Sequence, residues 1–456
     1  MTKQFMCVWL VASMLAATGC HQSDATHVTA EKEIFRAQHA NLIWEKSSPY
    51  TLFYENSDGS STLYLFTSPI AYYDEYDQLT LIDNDLVRSK EPGMAFENRK
   101  SDCKMYFPET ADRSLRIQST DTTLLLFPAE ASGNPQLTSY IDLCGVSRTA
   151  VSYPTTGKKD ILYLPTEAGI TVMVTWREPS PDSAFSVFVS PPAGAAFAVT
   201  SLQDILLYDP DSLTVLGVIH TAPLLDRNGK AYLNVTTDVT LQADGRLLVT
   251  FTPTGTVVSD ASHYPLTFSP SFDLYRSTLI GPAIWSGDPG NNDNLSAFIP
   301  LGQDEFLGTA EQYLRLRLNY ICKTYGANIQ SASYQPVVLG NISEPCTLEV
   351  FRVTELWGRH TISWNNRPHT GNVESATTLS SSGRIALDLT SLVRDGFDDL
   401  DWDIEANGLL LAKAADEPGV CILSTPQHSL YSPYIRIDFY ETPWFFERID
   451  TINPDE

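Results

Sequence analysis

The sequence predicts an all-β protein, tandem β-sandwich domains of jelly-roll-like form behind a signal peptide and a short helical linker. Three observations predict it. Short runs rich in Val, Ile, Thr, Tyr and Phe recur between turn signals along the whole chain. Twenty-eight prolines and 25 glycines interrupt it too often for long helices. Only residues 30–44 carry a helical period, with apolar residues near i, i+4 and i+8. A chain of 456 residues with 43% hydrophobic content has material for more than one core.

In chain order, residues 1–19 read as a targeting segment. Lys3 precedes the apolar run "FMCVWLVASMLAA" at 5–17, which is too short to span a bilayer as a stable helix. Ala17, Thr18 and Gly19 then lead into Cys20, the pattern of a bacterial lipoprotein signal with Cys20 as the lipidated residue. The expectation is an extracytoplasmic protein on the outer face of the bacterial cell membrane, touching that membrane through its N-terminal lipid only. An ordinary secretory signal cut nearby would still export it. Residues 20–44 are the anchor and linker, 45–275 an N-terminal β-rich region with a subdomain split at 179–192, 280–441 a β-sandwich, and 442–456 an acidic tail. "WSGDPGNNDN" at 285–294 is the densest turn cluster and marks the boundary.

Within these regions, "STLYLFTSPIAYYDEYDQLTLIDNDLV" at 61–87 reads as two or three strands. "YLNVTTDVTLQADGRLLVTFTP" at 232–253 is a hairpin turning at Asp244-Gly245, and Asn228-Gly229 marks another. "RIALDLTSLV" at 384–393 and "SPYIRIDFYE" at 432–441 alternate with period two and read as strands. Beyond the signal, Cys103, Cys144, Cys322, Cys346 and Cys421 remain. Cys103–Cys144 and Cys322–Cys346 are the local disulfide candidates, with Cys421 left odd, and spacing alone leaves the connectivity open.

The formal net charge of −25 excludes nucleic acid as a partner and argues against docking on anionic lipid. No catalytic constellation is recognisable. Acidic pairs such as Asp83/Asp85 and Asp401/Asp403 arise from composition, and no histidine sits in an H-E-x-x-H or G-x-S-x-G context.

Chemistry concentrates in "VTELWGRHTISWNNRP" at 353–368. Aromatic rings stack on sugar faces, and Arg pairs with carboxylates in a bidentate way. Trp357, Arg359, Arg367, Trp402 and Lys413 are therefore the candidate ligand-binding residues, for a polysaccharide or cell-surface glycan with uronate polymers included. The competing reading puts the tryptophans in the core, Trp364 first among them, and makes Asn365-Asn366 turn chemistry. No cofactor is expected beyond a structural calcium ion. Its weak candidate ligands are Asp288 and Asp293 in "DPGNNDN", and Asp399 and Asp401 in "DDLDWD".

Four motifs in order add a resemblance. "LEVFRVTELWGRHTISWNNRP", "IALDLTSLVRDG", "NGLLLAKAADEPG" and "YSPYIRIDFY", from Leu348 to Tyr440, resemble the DNRLRE-type domain, also classed as carbohydrate-binding module family 96 and with disaggregatase-related domains. Its front half departs from the pattern, at "NDNLSAFIPLG" and "AEQYLRLRLNY". "GKKDILYLPTEAGI", "LLYDPDSLTVLGVIHTAPLLDRNG" and "SHYPLTFSP" are similar to the module preceding such domains in wall-associated RHS/YD-repeat proteins of Gram-positive bacteria. The resemblance implies a non-catalytic surface β-module without the YD-repeat cargo. The expected function is glycan binding; the alternatives are a structural or protein-interaction module and, third, a polysaccharide-degrading enzyme. Cys20→Ser is expected to release the protein into the medium, read by fractionation; retention in the membrane fraction would refute lipidation at Cys20.

Overall fold

The computed structural model describes residues 41–440 apart from 129, 156–157, 181–182, 201, 275–280, 294, 305–306, 317–327, 341–345, 399–403, 405 and 429. The signal segment, Cys20, Cys322, Asp399, Asp401, Trp402 and the acidic tail lie outside the described residues. The chain is all-β, and four large antiparallel sheets form two sandwiches.

The first sandwich follows from alternation. Phe185–Ser190 and Leu247–Pro253 alternate buried and half-buried residues without a break, one face to the core and one to water. They belong to an eight-stranded sheet that runs from Val235–Leu241 across to Asp83–Arg88. The opposing sheet of eleven strands is centred on Lys159–Pro165, Gly169–Trp176 and Ser271–Leu274. Phe107, Leu126 and Phe251 from one sheet meet Val174, Trp176 and Phe272 from the other in a single core. Gly169 permits the closest strand approach, since a Cβ there would lie 2.0 Å from the Phe272 carbonyl oxygen. Phe185–Ser190 is hydrogen-bonded on both edges, to Thr123–Pro128 and to Leu247–Pro253. The expected split at 179–192 would cut through this sheet, so the first sandwich is one unit.

The second sandwich corrects the expected boundary at residue 45. Its nine-stranded sheet holds Cys346–Val353, Leu409–Lys413, Gly308–Leu314, Phe298–Asp304 and Val420–Ser424. The facing sheet runs Asn41–Leu42, Thr51–Glu55, Ser61–Phe66, Tyr434–Phe439, Ile329–Gln335, Leu387–Asp388. Half of it therefore comes from the start of the chain. The reason lies in "STLYLF", where all six residues are buried. Leu63 and Leu65 face the main core with Ile435 and Ile437. Tyr64 and Phe66 face the other way, into a cluster with Leu52, Tyr54, Ile70 and Tyr434. A strand apolar on both faces must sit inside a sheet covered on both sides. Tyr64 meets Tyr54 and Tyr434 edge-on, with ring centroids 5.9 and 5.7 Å apart. Thr62 Oγ1 donates to Asp438 Oδ1 at 2.6 Å across the same pair of strands. The register aligns Asn41 with Glu55, Glu55 with Ser61, and Ser61 with Phe439.

Three local expectations change. Asn41–Leu42 is a strand and Trp44–Lys46 a single 3-10 turn, so the helical window does not reach residue 44. The expected strand at 384–393 gives way to the helix Thr390–Asp398, which begins where the Asp388 carboxylate accepts the Thr390 N–H at 2.9 Å. Leu392 and Val393 of that helix enter the second core. The expected pairing of Cys103 with Cys144 does not form, because the two lie in different clusters. Cys103 lies in the first core, while Cys144 packs in the cluster around Tyr431 of the second sandwich. Both hairpins form, the longer one turning through Gly245 at φ +84°. Among the described residues, no helix is long and apolar enough to cross a membrane.

Leu63→Ala is expected to cost about 3 kcal/mol, read as a shifted urea midpoint. A fragment of residues 280–441 should show no cooperative unfolding until residues 41–66 are supplied. A cooperative transition from the fragment alone would contradict this architecture.

Candidate functional site

Trp357, the expected platform ring, is built into the protein. Its loop leaves the strand Cys346–Val353 and returns through the 3-10 turn Trp364–Asn366, which carries a reciprocal Ser363/Asn366 cap. The indole is 8% exposed and packs with Ile284, Tyr313, Val353, Ile362 and Leu410. Its Nε1–H donates to the Asn407 carbonyl at 2.6 Å, and the Arg315 guanidinium lies 4.3 Å from the ring centroid. Both the apolar surface and the polar tip of the ring are satisfied internally.

Lys413 is likewise withdrawn. Its side chain is 1% exposed, and Nζ donates to the Glu417 carbonyl at 2.6 Å with the Glu417 carboxylate 3.7 Å away. Burial and this pairing take it out of reach of a ligand carboxylate. Trp364, which the competing reading puts in the core, sits half-buried in the 3-10 turn. Arg367 lies 4.2 Å over its ring and 3.6 Å from Glu311. Arg359 is exposed, with Nε 2.6 Å from His360 Nε2. Arg359, Trp364 and Arg367 thus remain as rim groups, while Trp402 lies outside the described residues.

The turn cluster at 285–294 braces this rim, because Asn365 N–H donates to the Pro289 carbonyl at 3.1 Å. Asp288 accepts the Asn291 amide on both carboxylate oxygens at 3.0 Å. Asp293 turns inward, where Oδ1 accepts the Leu295 and Ser296 N–H groups at 2.8 and 2.9 Å. The two acids are thus engaged separately, and among the described residues no group of three His, Cys, Asp or Glu is arranged to hold a metal ion.

Asp293 instead leads to a cluster of buried charge between the two sandwiches. His220, 2% exposed at the end of Val215–His220, lies between two carboxylates. Its Nδ1 is 3.4 Å from Asp204 Oδ2 and its Nε2 is 4.0 Å from Asp273 Oδ2. Asp204 also accepts the Thr221 N–H at 2.8 Å, and Asp273 accepts the Ser271 hydroxyl at 2.6 Å. Asp293 approaches from the second sandwich, 7% exposed, with no hydrogen-bond partner on Oδ2 among the described residues.

Burial works against the charge on His220, but the hydrogen bond and charge of Asp204, with Asp273 and Asp293 behind it, hold the imidazole pKa above its usual value. Burial, then the charge of Asp204, pushes the Asp293 carboxyl up to about 6. Desolvation and the His220 charge push His428 down to about 3, and its Nδ1 accepts the Tyr431 N–H at 3.2 Å. Beside this polar joint lies an apolar one. Tyr431 packs with Phe298, Val337 and Ile422 against Leu143, Ala231 and Leu233 of the first sandwich, and its hydroxyl accepts the Leu143 N–H at 3.3 Å. A cleft of about 150 Å³, lined by Leu202, Thr221, Val235, Phe298 and Leu307, runs along the same seam.

The arrangement holds protons and mates two surfaces. Sequence reasoning missed Asp204, His220 and Asp273, and reached Asp293 only as a weak metal ligand. One signal was available: Asp273 stands in "SFDL" between Phe272 and Leu274, a carboxylate inside a strand buried at all four positions. No protein-family model matches the chain, and no curated protein matches it.

Between about pH 4 and 6 the folded chain retains a proton on Asp293 that the unfolded chain releases, and His220 does the same above the ordinary imidazole pKa. Their stabilising contribution is full at acid pH and is lost as pH rises, through about 6 for Asp293 and above the ordinary imidazole value for His220. His428 acts oppositely, since its depressed pKa costs stability as pH falls from the ordinary imidazole range toward about 3. Asp293→Asn is therefore expected to stabilise the protein at pH 8, by about 2–3 kcal/mol, and to have little effect at pH 4. Urea unfolding at the two pH values checks this, and an equal shift at both would refute it.

Proposed function

We propose that this chain is a non-catalytic, extracytoplasmic surface module with a structural or protein-interaction role, held at the membrane by a lipid on Cys20. One observation carries the reading. Trp357, the ring on which a sugar would have to stack, packs its face in a core cluster and donates its N–H to Asn407. Tyr431 and Lys413 support it in the same direction, one filling the seam between the sandwiches and the other bound by Glu417. The histidines also favour a structural role. His220 lies between carboxylates, His263 is within 3.3 Å of Asp226 and Tyr232, and His428 accepts a backbone N–H. The ordered motifs from Leu348 to Tyr440 support a module of the DNRLRE type, and the acidic surface favours cationic partners.

A glycan contact is the second reading, and one observation favours it. The half-buried Trp364 carries the Arg367 guanidinium over its ring, and Arg359 is exposed on the same loop. A uronate carboxylate would find its cationic partner there.

A glycan array with the mature chain, uronate polymers included, separates the two. The module reading expects no retained polymer and no change in the Arg359→Ala/Arg367→Ala double variant. Retention that the double variant abolishes would establish the glycan reading instead, and release of product from any polymer would overturn the non-catalytic assignment.

A further inference from the structure

We propose that Cys346 and Cys421 are joined in the oxidised protein by a disulfide within the second sandwich. The two thiols come from distant strands, Cys346–Val353 and Val420–Ser424. Both lie in the same core at 2% and 1% exposure, and both are free thiols in direct side-chain hydrogen-bond contact.

The strands around them account for the meeting. Leu348 pairs with Lys413, and Cys421 pairs with Leu301 of Phe298–Asp304. Gly302, next to Leu301, lets these strands crowd together: at φ +108° a Cβ there would lie 2.5 Å from the Gly419 carbonyl and 2.7 Å from Lys413 Cδ. The expected pairing of Cys346 with Cys322 is displaced, because the Cys346 thiol already faces Cys421.

The hydrogen bond from Cys421 lowers the Cys346 pKa against the opposing effect of burial, and the buried Lys413 ammonium adds to the lowering. Cys421 moves the other way, because it donates that hydrogen bond and is buried. Either sulfur can begin the exchange, Cys346 for instance. Its thiolate attacks one sulfur of an external disulfide, such as oxidised glutathione or an oxidised thiol oxidoreductase, and the other sulfur leaves as a thiolate. Cys421 then loses its proton and attacks Cys346 Sγ, which expels the second donor sulfur. Two cysteine thiols are oxidised, one donor disulfide is reduced to two thiols, and both protons end on the donor sulfurs. Because both sulfurs are buried, the exchange belongs to the folding chain or to a transient opening of the strands.

The test does not depend on export, since the oxidant can be added directly. The purified mature chain is refolded with oxidised glutathione, quenched in acid and alkylated in denaturant without reductant, and its peptides are mapped by mass spectrometry. The expected result is one linked peptide pair holding Cys346 and Cys421, with Cys103 and Cys144 alkylated. Reduction should lower the Tm by roughly 5 °C or more, as expected for a link closing a long loop. Cys322→Ser should retain the link, and Cys421→Ser should leave Cys346 open to alkylation in denaturant whether or not it folds. A Cys322–Cys346 peptide, or alkylation of both Cys346 and Cys421 after oxidation, would overturn the assignment.

Discussion

The pairing of Ser61–Phe66 with Tyr434–Phe439 is the constraint on which the rest of the architecture depends. It joins residues separated by most of the chain, and Thr62 to Asp438 alone spans 376 positions. Without it Leu63 and Leu65 would lose Ile435 and Ile437 beside them in the core, and Tyr64 would lose its edge-on partner Tyr434. The first sandwich lies wholly between these two strands in sequence, so it is an insertion within the second. Loop closure over such a span costs entropy before any contact forms, which explains why the strand is apolar on both faces. Two clusters, rather than one, reward the closure.

An inserted domain must also be oriented, and the seam does this with two kinds of contact. The apolar side, around Tyr431 and Leu143, supplies non-directional burial. The polar side, where His220 lies between Asp204 and Asp273 near Asp293, supplies direction. Buried ionic groups are poor sources of stability but severe on wrong geometry, because a displaced partner leaves a charge without compensation. We read the cluster as the feature that permits one docking angle and penalises others. The competing protonation tendencies of Asp293 and His428 fit a site that tolerates charge only in one arrangement.

Local features of the sequence foretold the local features of the fold. Period-two alternation located Leu247–Pro253, and Asp244-Gly245 and Asn228-Gly229 located the hairpins, whereas Phe185–Ser190 fell inside the expected subdomain split. Long-range features were not legible in the same way. A six-residue apolar run such as "STLYLF" says that a strand is buried on both faces but not which strands flank it. Asp204, His220, Asp273 and Asp293 sit on separate elements, so no spacing rule gathers them. Trp357 shows a different limit. Its residue type fits a ligand platform and a core plug equally well, and only the direction of its N–H toward Asn407 separates the two.

The aligned register of Asn41, Glu55, Ser61 and Phe439 places both ends of the described chain at one end of one sheet, about 14 Å apart at ordinary strand spacing. Tension applied between those ends would therefore act across the strands rather than along them. Backbone hydrogen bonds would open one at a time from that end, as a zipper does, instead of resisting together in shear. A tether at the N-terminus would thus load the edge strand Asn41–Leu42 first, in its mechanically weakest direction, before the force reached the pairing of Ser61–Phe66 with Tyr434–Phe439 that completes the fold.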